Sequence, residues 1–375
     1  MASKYVKALW VFVVVYIAFF SAYSVFRLYA FEHFYAPGYV LCDTHTFYSD
    51  LINTLHGNGF FYSPYEGTSH FAVHNSPILF LLLPIVALFP HIETILVVQS
   101  IFIGLGAVGL FYFARAVLKN EKSALLLASM YLINPFIHGI NKADFHACAL
   151  AIPFAFLTAY FYETGRTKPM LVSAALVLSA REDAGLFLIA LMWMGVMRKD
   201  SPMGSLKPRT WLRNRLELTM VLLAVLWMTV SLVLIFWFNG WVPPRWMARY
   251  HGTPNFLRER GWSFVALVLL SMGFLPLLQP RFLLPSAPLW AELLLGASWA
   301  MVSYDFYYTY MLVPFLFIVS VYAVSENPRM LRKGFLIALV SSILFSPVYG
   351  VTRIGPYDSV YFWARFLGRM LHGTG

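Results

Sequence analysis

The stretch TILVVQSIFIGLGAVGLFYFA, residues 94–114, decides the fold class of this chain. It runs for 21 residues without one charged side chain. A helix that crosses the roughly 30 Å hydrocarbon layer of a bilayer needs about 20 such residues. Because lipid offers the backbone no hydrogen-bonding partner, a segment of this kind must fold as an α-helix. The stretch therefore predicts a transmembrane helix.

Similar apolar runs fill most of the 375-residue chain, which is 60% hydrophobic and only 12% charged. Soluble domains have about 45–50% apolar and about 25% charged residues. The alternating pattern of a membrane β-barrel is absent. We therefore predict an all-α, polytopic transmembrane bundle, a single domain over residues 1–375. About eleven spans are expected, with a half-span at 76–90: 5–29, 94–114, 123–140, 145–163, 168–180, 183–198, 216–239, 262–278, 282–303, 306–325 and 332–350. Segments 168–180 and 183–198 are short, and are either two helices or one kinked helix.

The net charge of +10 comes from basic residues in short loops between the apolar runs. This distribution indicates the positive-inside rule, and we expect no nucleic-acid partner. Lys4 and Lys7 put the N-terminus in the cytoplasm, and loop 31–75, which has no lysine or arginine, outside. If 76–90 crosses only half of the bilayer, most later basic loops face inside; if it crosses fully, Arg115 faces outside. We favour the half-span. The two cysteines indicate no disulfide framework.

The outer loop 31–75 contains a predicted amphipathic helix, Asp43–Leu55, with apolar residues at helical spacing. Asp43 stands at its start, where a carboxylate is favoured by the helix N-terminus. It is either a simple N-cap or a site residue. His45, Asp50, His70 and His74 lie in the same loop, and this concentration of acid and imidazole groups favours the second interpretation.

Other unusual polar residues fall on the same predicted face. Each has a simpler explanation: a helix cap, a tight solvated turn, or an aromatic belt at the lipid surface. Charges beside spans are costly unless they are paired or face a watery cavity, which favours a shared site. The residues are Asp144, His146, Arg181, Glu182, Asp183, Tyr307 and Tyr308.

The loop 239–261 is basic although the topology puts it outside. Arginine binds phosphate oxygens through two parallel hydrogen bonds. The loop therefore indicates either a phosphate site for a lipid-linked substrate or anchoring to phospholipid headgroups. Its candidate residues are Arg245, Arg249, Arg258 and Arg260.

An ordered set of segments resembles the archaeal and bacterial membrane family DUF2079. The resemblance covers about Asp43 to Pro314. Its carriers are the Asp43 segment, FAVHNSPILFLLLPIVALFP, ADFHACALAIPF, AREDAGL, FLPLLQPRFLL and YYTYMLVPFLF. This family in turn resembles a divergent branch of the GT-C membrane glycosyltransferases. One position departs from the expected pattern, because Tyr307-Tyr308 stands where His-Tyr is expected.

The GT-C resemblance implies an acidic residue in the first outer loop, and Asp43 occupies that place. It also implies a polyprenyl-phosphate-linked sugar as donor and transfer on the extracytoplasmic face to an unidentified acceptor. Asp43 is then expected to be the general base, and the arginines of loop 239–261 to hold the leaving phosphate.

Two alternative functions and one question about a metal cofactor stay open at this point. A lipid or small-solute transporter or flippase would need a polar pathway through the spans, whereas the polar residues here gather at one face, which favours an enzyme. A scaffold or degenerate enzyme is consistent with the departure at Tyr307. A divalent metal cofactor has three candidate ligands: His74, Asp144 and His146.

Overall fold

The structure is a computed structural model in which residues 3–30, 42–142 and 144–351 are described. The first part of the predicted outer loop, 31–41, lies outside these ranges. Within them the chain is almost entirely helical. The α-helices are α1 (Lys4–Ala30), α2 (Cys42–Leu55), α3 (Leu83–Leu88), α4 (Ile92–Leu118), α5 (Glu121–Leu132), α6 (Pro135–Lys142), α7 (Ile152–Glu163), α8 (Thr167–Leu178), α9 (Gly185–Lys199), α10 (Pro208–Arg213), α11 (Arg215–Phe238), α12 (Glu259–Ser271), α13 (Ala287–Leu295), α14 (Leu312–Glu326) and α15 (Met330–Phe345).

Three of the described helices, α1, α4 and α11, are long and apolar enough to cross a membrane. The pair α5 and α6 is bent by 48° at its break and gives a fourth candidate span. Pro135 interrupts the helix because it lacks a backbone amide, and the Asn134 side-chain oxygen then caps α6 by accepting hydrogen bonds from Phe136 and Ile137. The prediction of an apolar helical bundle is confirmed. The finer count of about eleven spans stays a prediction.

Several segments are more broken than their composition predicts. Region 282–303 contains a 3₁₀ turn (Pro280–Ser286), α13 and a second 3₁₀ turn (Trp299–Val302) instead of one helix. Prolines and Gly296 explain the interruptions, because proline lacks the amide that a continuous helix needs. Segment 77–88 forms a 3₁₀ turn followed by α3, and is too short to cross about 30 Å of hydrocarbon. Segments 168–180 and 183–198 are two separate helices, α8 and α9.

Helix α4 lies at the centre of the bundle and packs against α1, α5, α7 and α14. Small residues permit the close approach of its neighbours. At Gly106, an added Cβ would lie 2.4 Å from the Tyr131 hydroxyl of α5. That hydroxyl donates a hydrogen bond of 2.7 Å to the Ile103 carbonyl oxygen. The core therefore holds α4 rigidly.

The predicted amphipathic helix at the start of the outer loop is present as α2. It packs against α3, α4 and a small hairpin of strands β1 (Tyr62–Ser63) and β2 (Thr68–Ser69). The strands are antiparallel, with Tyr62 opposite Ser69. This arrangement places the first turn of α2 beside the loop that leads into the 3₁₀ turn Ala147–Ala151.

Candidate active site

Asp43 and His146, which lie 103 positions apart in the sequence, meet in the structure. The Oδ2 atom of Asp43 is 3.2 Å from Nε2 of His146. Two backbone amides hold the loop in place, because Phe145 donates to Thr44 of α2 and His146 donates to Gln99 of α4. Helix α2 and the Asp144–His146 segment therefore lie side by side.

The His146 ring is held between the backbone of Asp144 and the side chain of Asp43. Its Nδ1 atom lies 2.7 Å from the carbonyl oxygen of Asp144. A carbonyl oxygen only accepts, so Nδ1 is the donor in this contact. Burial raises the pKa of Asp43, but the hydrogen bond and charge of His146, followed by Arg249, outweigh it and hold the pKa below its usual range. Asp43 is therefore a carboxylate, and 57% of its side-chain surface is exposed.

A stack of planar side chains leads away from this pair. The rings of His146 and Tyr307 stack with centroids 3.5 Å apart, and those of Tyr307 and Tyr308 with centroids 4.4 Å apart. The Arg249 guanidinium lies 5.2 Å from the Tyr308 ring centroid. The two tyrosines thus connect the Asp43–His146 pair to a cation. Arg249 makes no ion pair within the part of the chain that the structure describes.

Arg181 organises a cluster of buried charges beside the stack. Its Nε atom donates to Asp183 over 2.7 Å, and its Nη2 atom contacts both Asp183 and Glu292. The Tyr310 hydroxyl donates to Asp183 over 2.6 Å. Glu292 also hydrogen-bonds to Asp183, and two carboxyl groups in such contact need a shared proton. Sequence reasoning missed Glu292, because it lies inside an apolar run.

His74 and Glu182 form a second acid–imidazole pair. His74 Nδ1 lies 2.7 Å from Glu182 Oε1, and the Asn75 amide donates to the other carboxylate oxygen. The Asn75 side chain is bound to Ser231 of α11 over 2.7 Å. The Trp246 ring lies nearly parallel to His74, with ring centroids 6.4 Å apart. These contacts link α9, α11 and loop 239–261 around one space.

That space is a cavity of about 360 Å³. Its polar end holds His74, the Arg181 cluster, Arg249 and Tyr308, and its apolar wall comes from α9, α11 and α13. Leu232 of α11 and Leu295 of α13 line it and are also 37% and 53% exposed at the protein surface. The cavity therefore opens sideways between α11 and α13. Both helices pack against α9.

Some of the predicted site residues lie elsewhere. Asp144 binds Arg27 of α1 over 3.4 Å and contributes its backbone oxygen to His146. Arg260 is held by the Asn255 side chain and the Ala297 carbonyl. Arg258 is not among the residues that line the cavity. Arg245 faces Glu66, whose pKa it acts to lower.

A further group of titratable side chains lies beside the cavity, where the His70 ring is 6.1 Å from the ring of His74. Asp50 is fully buried, and its Oδ2 atom lies 3.7 Å from Nδ1 of His70. Burial, followed by the charge of Glu66, raises the pKa of Asp50 to about 9. Burial and the charge of Asp43 raise the pKa of Glu66 to about 7, while burial lowers that of His70 to about 3. Asp50 is therefore a neutral carboxylic acid at pH 7.

The three candidate metal ligands do not fit a common metal ion in this structure. His74 is committed to Glu182, His146 to Asp43, and Asp144 to Arg27. No group of three or more histidine, cysteine or acidic side chains with metal-binding geometry exists among the described residues. We therefore derive no catalytic step through a metal.

Comparison with known proteins gives the family but no activity. No curated protein matches the chain. The model of one family, described as predicted membrane protein (DUF2079), matches residues 43–256. This match begins at Asp43, contains most of the cavity residues and covers more than half of the chain, so the chain belongs to the DUF2079 family of membrane proteins.

Proposed function

We propose that this protein is a membrane glycosyltransferase that moves a sugar from a polyprenyl-phosphate-linked donor to an acceptor. The observation that carries the proposal is the composition of the cavity. One end presents charged and hydrogen-bonding groups, and the other opens sideways between apolar helices. A ligand that matches both ends has a polar head and a long apolar tail. A lipid-linked sugar phosphate has this form.

Glycosyl transfer needs a base beside the donor, and Asp43 lies near the cavity, where the charges of Arg249 and His74 act on it. Asp43 accepts the proton of the acceptor hydroxyl, and the acceptor oxygen forms a bond to the anomeric carbon of the sugar. The bond from that carbon to the phosphate oxygen breaks, and its electron pair leaves with the polyprenyl phosphate. His146, held by the Asp144 carbonyl, donates to Asp43 and keeps its carboxylate oriented. Base assistance of this kind is worth about 10²–10⁴-fold in rate.

Arg249 is the residue best placed to receive the leaving phosphate. It lines the cavity, and Tyr308 supports its guanidinium from one face. A cation without a carboxylate partner has its donors available for phosphate oxygens. The carboxyls of Glu182, Asp183 and Glu292 line the same space and suit sugar hydroxyls as hydrogen-bonding partners.

The proposal includes an orientation in the membrane. Lys4 and Lys7 favour a cytoplasmic N-terminus, and the basic segment 198–215 lies at the end of α9 remote from the cavity. Both follow the positive-inside rule if the cavity faces the extracytoplasmic side. The bundle of about eleven spans belongs to this same topology.

A lipid or small-solute transporter is the second candidate. The bent pair α5 and α6 favours it, because broken helices form binding sites in many transporters. The two functions differ in whether the donor's bond to phosphate is broken.

The test uses purified protein in lipid nanodiscs with radiolabelled polyprenyl-phosphate hexoses and a membrane extract as the source of acceptor. Asp43→Asn should lower release of polyprenyl phosphate at least about 100-fold, with an unchanged melting temperature. Asp200→Asn, an exposed acid at the remote end of α9, is the matched control and should keep wild-type turnover. Wild-type turnover in Asp43→Asn would eliminate Asp43 as the base. In sealed proteoliposomes, movement of intact donor across the membrane without bond cleavage would favour the transporter.

A further inference from the structure

A second cavity, of about 390 Å³, lies at the opposite end of α9 from the candidate active site. Its polar wall contains Glu163, Thr167, Arg198 and Lys199. Helix α9 has 15 residues, so this cavity is roughly 22 Å along the helix axis from the start of α9, beside the Arg181 cluster. It therefore lies toward the other surface of the bundle and is independent of the proposed glycosyl transfer.

The cations of this second cavity are held in place by neighbouring acids. Arg198 donates to Glu163 over 2.6 Å and to the Tyr322 hydroxyl. Lys199 binds Glu217, which is itself buried. About half of the Lys199 side chain, 52%, stays exposed. An ammonium group has three donors, so Lys199 can bind an anion without releasing its acid.

The mouth of the cavity has a strongly positive charge. Segment 198–215 carries six lysines and arginines and a single acid, Asp200. Arg166 and Lys168 flank Thr167 in the turn that forms the other side of the mouth. Such a cluster attracts anionic groups from distances up to about a Debye length, 8–10 Å.

The same segment also exposes apolar side chains, which identifies lipid as its neighbour. Met203, Leu206 and Leu212 are 74%, 58% and 64% exposed, and they alternate with exposed cations. The indole nitrogens of Trp193 and Trp211 both donate to Ser205 and fix the segment. Exposed apolar residues interleaved with lysine and arginine are typical of segments that lie in the headgroup layer of a bilayer.

We propose that this second cavity binds the phosphate of an anionic phospholipid from the membrane leaflet opposite the candidate active site. Arg198 and Lys199 contact the phosphate, while the acyl chains lie along the exposed apolar surface of α8, which includes Leu171 and Val172. A free phosphate ion would use the cations alone. A phospholipid also covers the adjoining apolar surface, which is why the geometry favours it.

The test introduces a negative charge without removing either ion pair. Thr167 is exposed at the first position of α8, where a glutamate interacts favourably with the helix N-terminus, so Thr167→Glu should fold normally. Thr167→Gln has a similar shape without the charge and is the matched control. The probes are phosphatidylglycerol and phosphatidylcholine, added as mixed micelles to delipidated protein, and inorganic phosphate.

We expect phosphatidylglycerol to raise the melting temperature of the wild type and of Thr167→Gln, and phosphatidylcholine to have a smaller effect. Thr167→Glu should need about tenfold more phosphatidylglycerol for the same shift, because the new charge repels the headgroup. Native mass spectrometry should find correspondingly less retained phosphatidylglycerol. An equal response of Thr167→Glu and Thr167→Gln would overturn the proposal. Stabilisation by inorganic phosphate to the same extent would identify a free-anion site and overturn the assignment to a lipid.

Discussion

Asp43 and Asp50 lie on the same helix, seven residues apart, yet they have opposite protonation states. About two helical turns separate them, so they lie on the same face of α2. His146 and Arg249 stabilise the charge of Asp43. Asp50 has the His70 imidazole and the Glu66 carboxyl nearby, and neither of its oxygens has a hydrogen-bonding partner among the described residues. The local environment therefore keeps the Asp43 carboxyl ionised and the Asp50 carboxyl protonated.

The neutral state of Asp50 predicts a dependence of stability on pH. Its folded-state pKa of about 9 is above the ordinary value of 3.8, so the folded protein keeps a proton that the unfolded chain has lost. Stability must then fall as pH rises toward 9. Glu66 has a pKa of about 7 and His70 a pKa of about 3, so these two groups change the stability of the fold mainly at lower pH.

Asp50→Asn should remove this slope. From about pH 7 to about pH 8.5 we expect the wild type to lose up to about 1.4 kcal/mol per pH unit, and the variant to stay nearly flat. Melting temperatures across this range, measured in one detergent, provide the test. Equal slopes in both proteins would mean that Asp50 is ionised in the folded state.

Arg249 predicts a specific loss of phosphate binding. Arg249→Gln should weaken binding of polyprenyl phosphate about 10- to 100-fold, because a hydrogen bond to a charged group contributes about 1.5–3 kcal/mol. Arg258→Gln, in the same loop but away from the cavity, is the control and should bind normally. Displacement of a fluorescent lipid phosphate measures both. The same loss in both variants would indicate a general effect of loop charge.

The sequence analysis named six of the residues that line the cavity, because polar groups beside membrane spans are costly unless they are paired or face a polar space. They are His74, Arg181, Glu182, Asp183, Arg249 and Tyr308. It could not separate Arg249 from Arg258 and Arg260, since four arginines in one loop look alike before their partners are known. Glu292 and Trp246 were missed. An acidic residue within an apolar segment indicates a candidate site residue, and Glu292 could have been identified in this way.

At the scale of elements, α6 sets the position of the tyrosine segment 304–311. Lys142 at the end of α6 binds Asp305 over 2.9 Å, and both side chains are buried. Gly139 allows the two segments to touch, because an added Cβ would lie 1.7 Å from the Tyr304 carbonyl oxygen. The approach of these backbones fixes where Tyr307 meets His146.

Gly139→Ala should therefore displace the tyrosine stack, lower the melting temperature and abolish transfer. Gly204→Ala is the control, because its Cβ would meet mainly the side chain of Ser201, which is exposed and can rotate. Differential scanning fluorimetry and the transfer assay measure the two effects. Normal stability of Gly139→Ala would show that α6 and the tyrosine segment adjust more easily than their packing implies.

Sequence periodicity predicted elements best where helices are long and uninterrupted, as in α1, α4 and α11. It predicted continuous helices in regions that are broken, such as 282–303. Hydropathy indicates whether a segment lies in lipid or in water. Whether its helix is continuous depends on single prolines and on capping side chains such as Asn134. Those breaks allow Glu292 and Arg181 to meet. The distance between these two residues could not be predicted from their separation in the sequence.

For the whole molecule, the sideways opening between α11 and α13 predicts how ligands enter. Leu232→Trp should fill this opening and weaken binding of polyprenyl phosphate, while binding of soluble sugar phosphates should change less. Leu226→Trp, on the exposed surface of the same helix, is the control and should have no effect. The fluorescent displacement assay measures both variants. Unchanged lipid binding in Leu232→Trp would place the entrance elsewhere.

A lateral opening in the bundle also determines which ligand concentration controls occupancy of the cavity. A ligand that enters from between the lipid chains is drawn from a two-dimensional pool, so occupancy follows its mole fraction in the bilayer and not the amount in the surrounding buffer. Detergent molecules belong to the same two-dimensional pool and compete with the ligand for the same opening. Affinities measured in micelles and in native membranes will therefore agree only when they are expressed per mole of amphiphile.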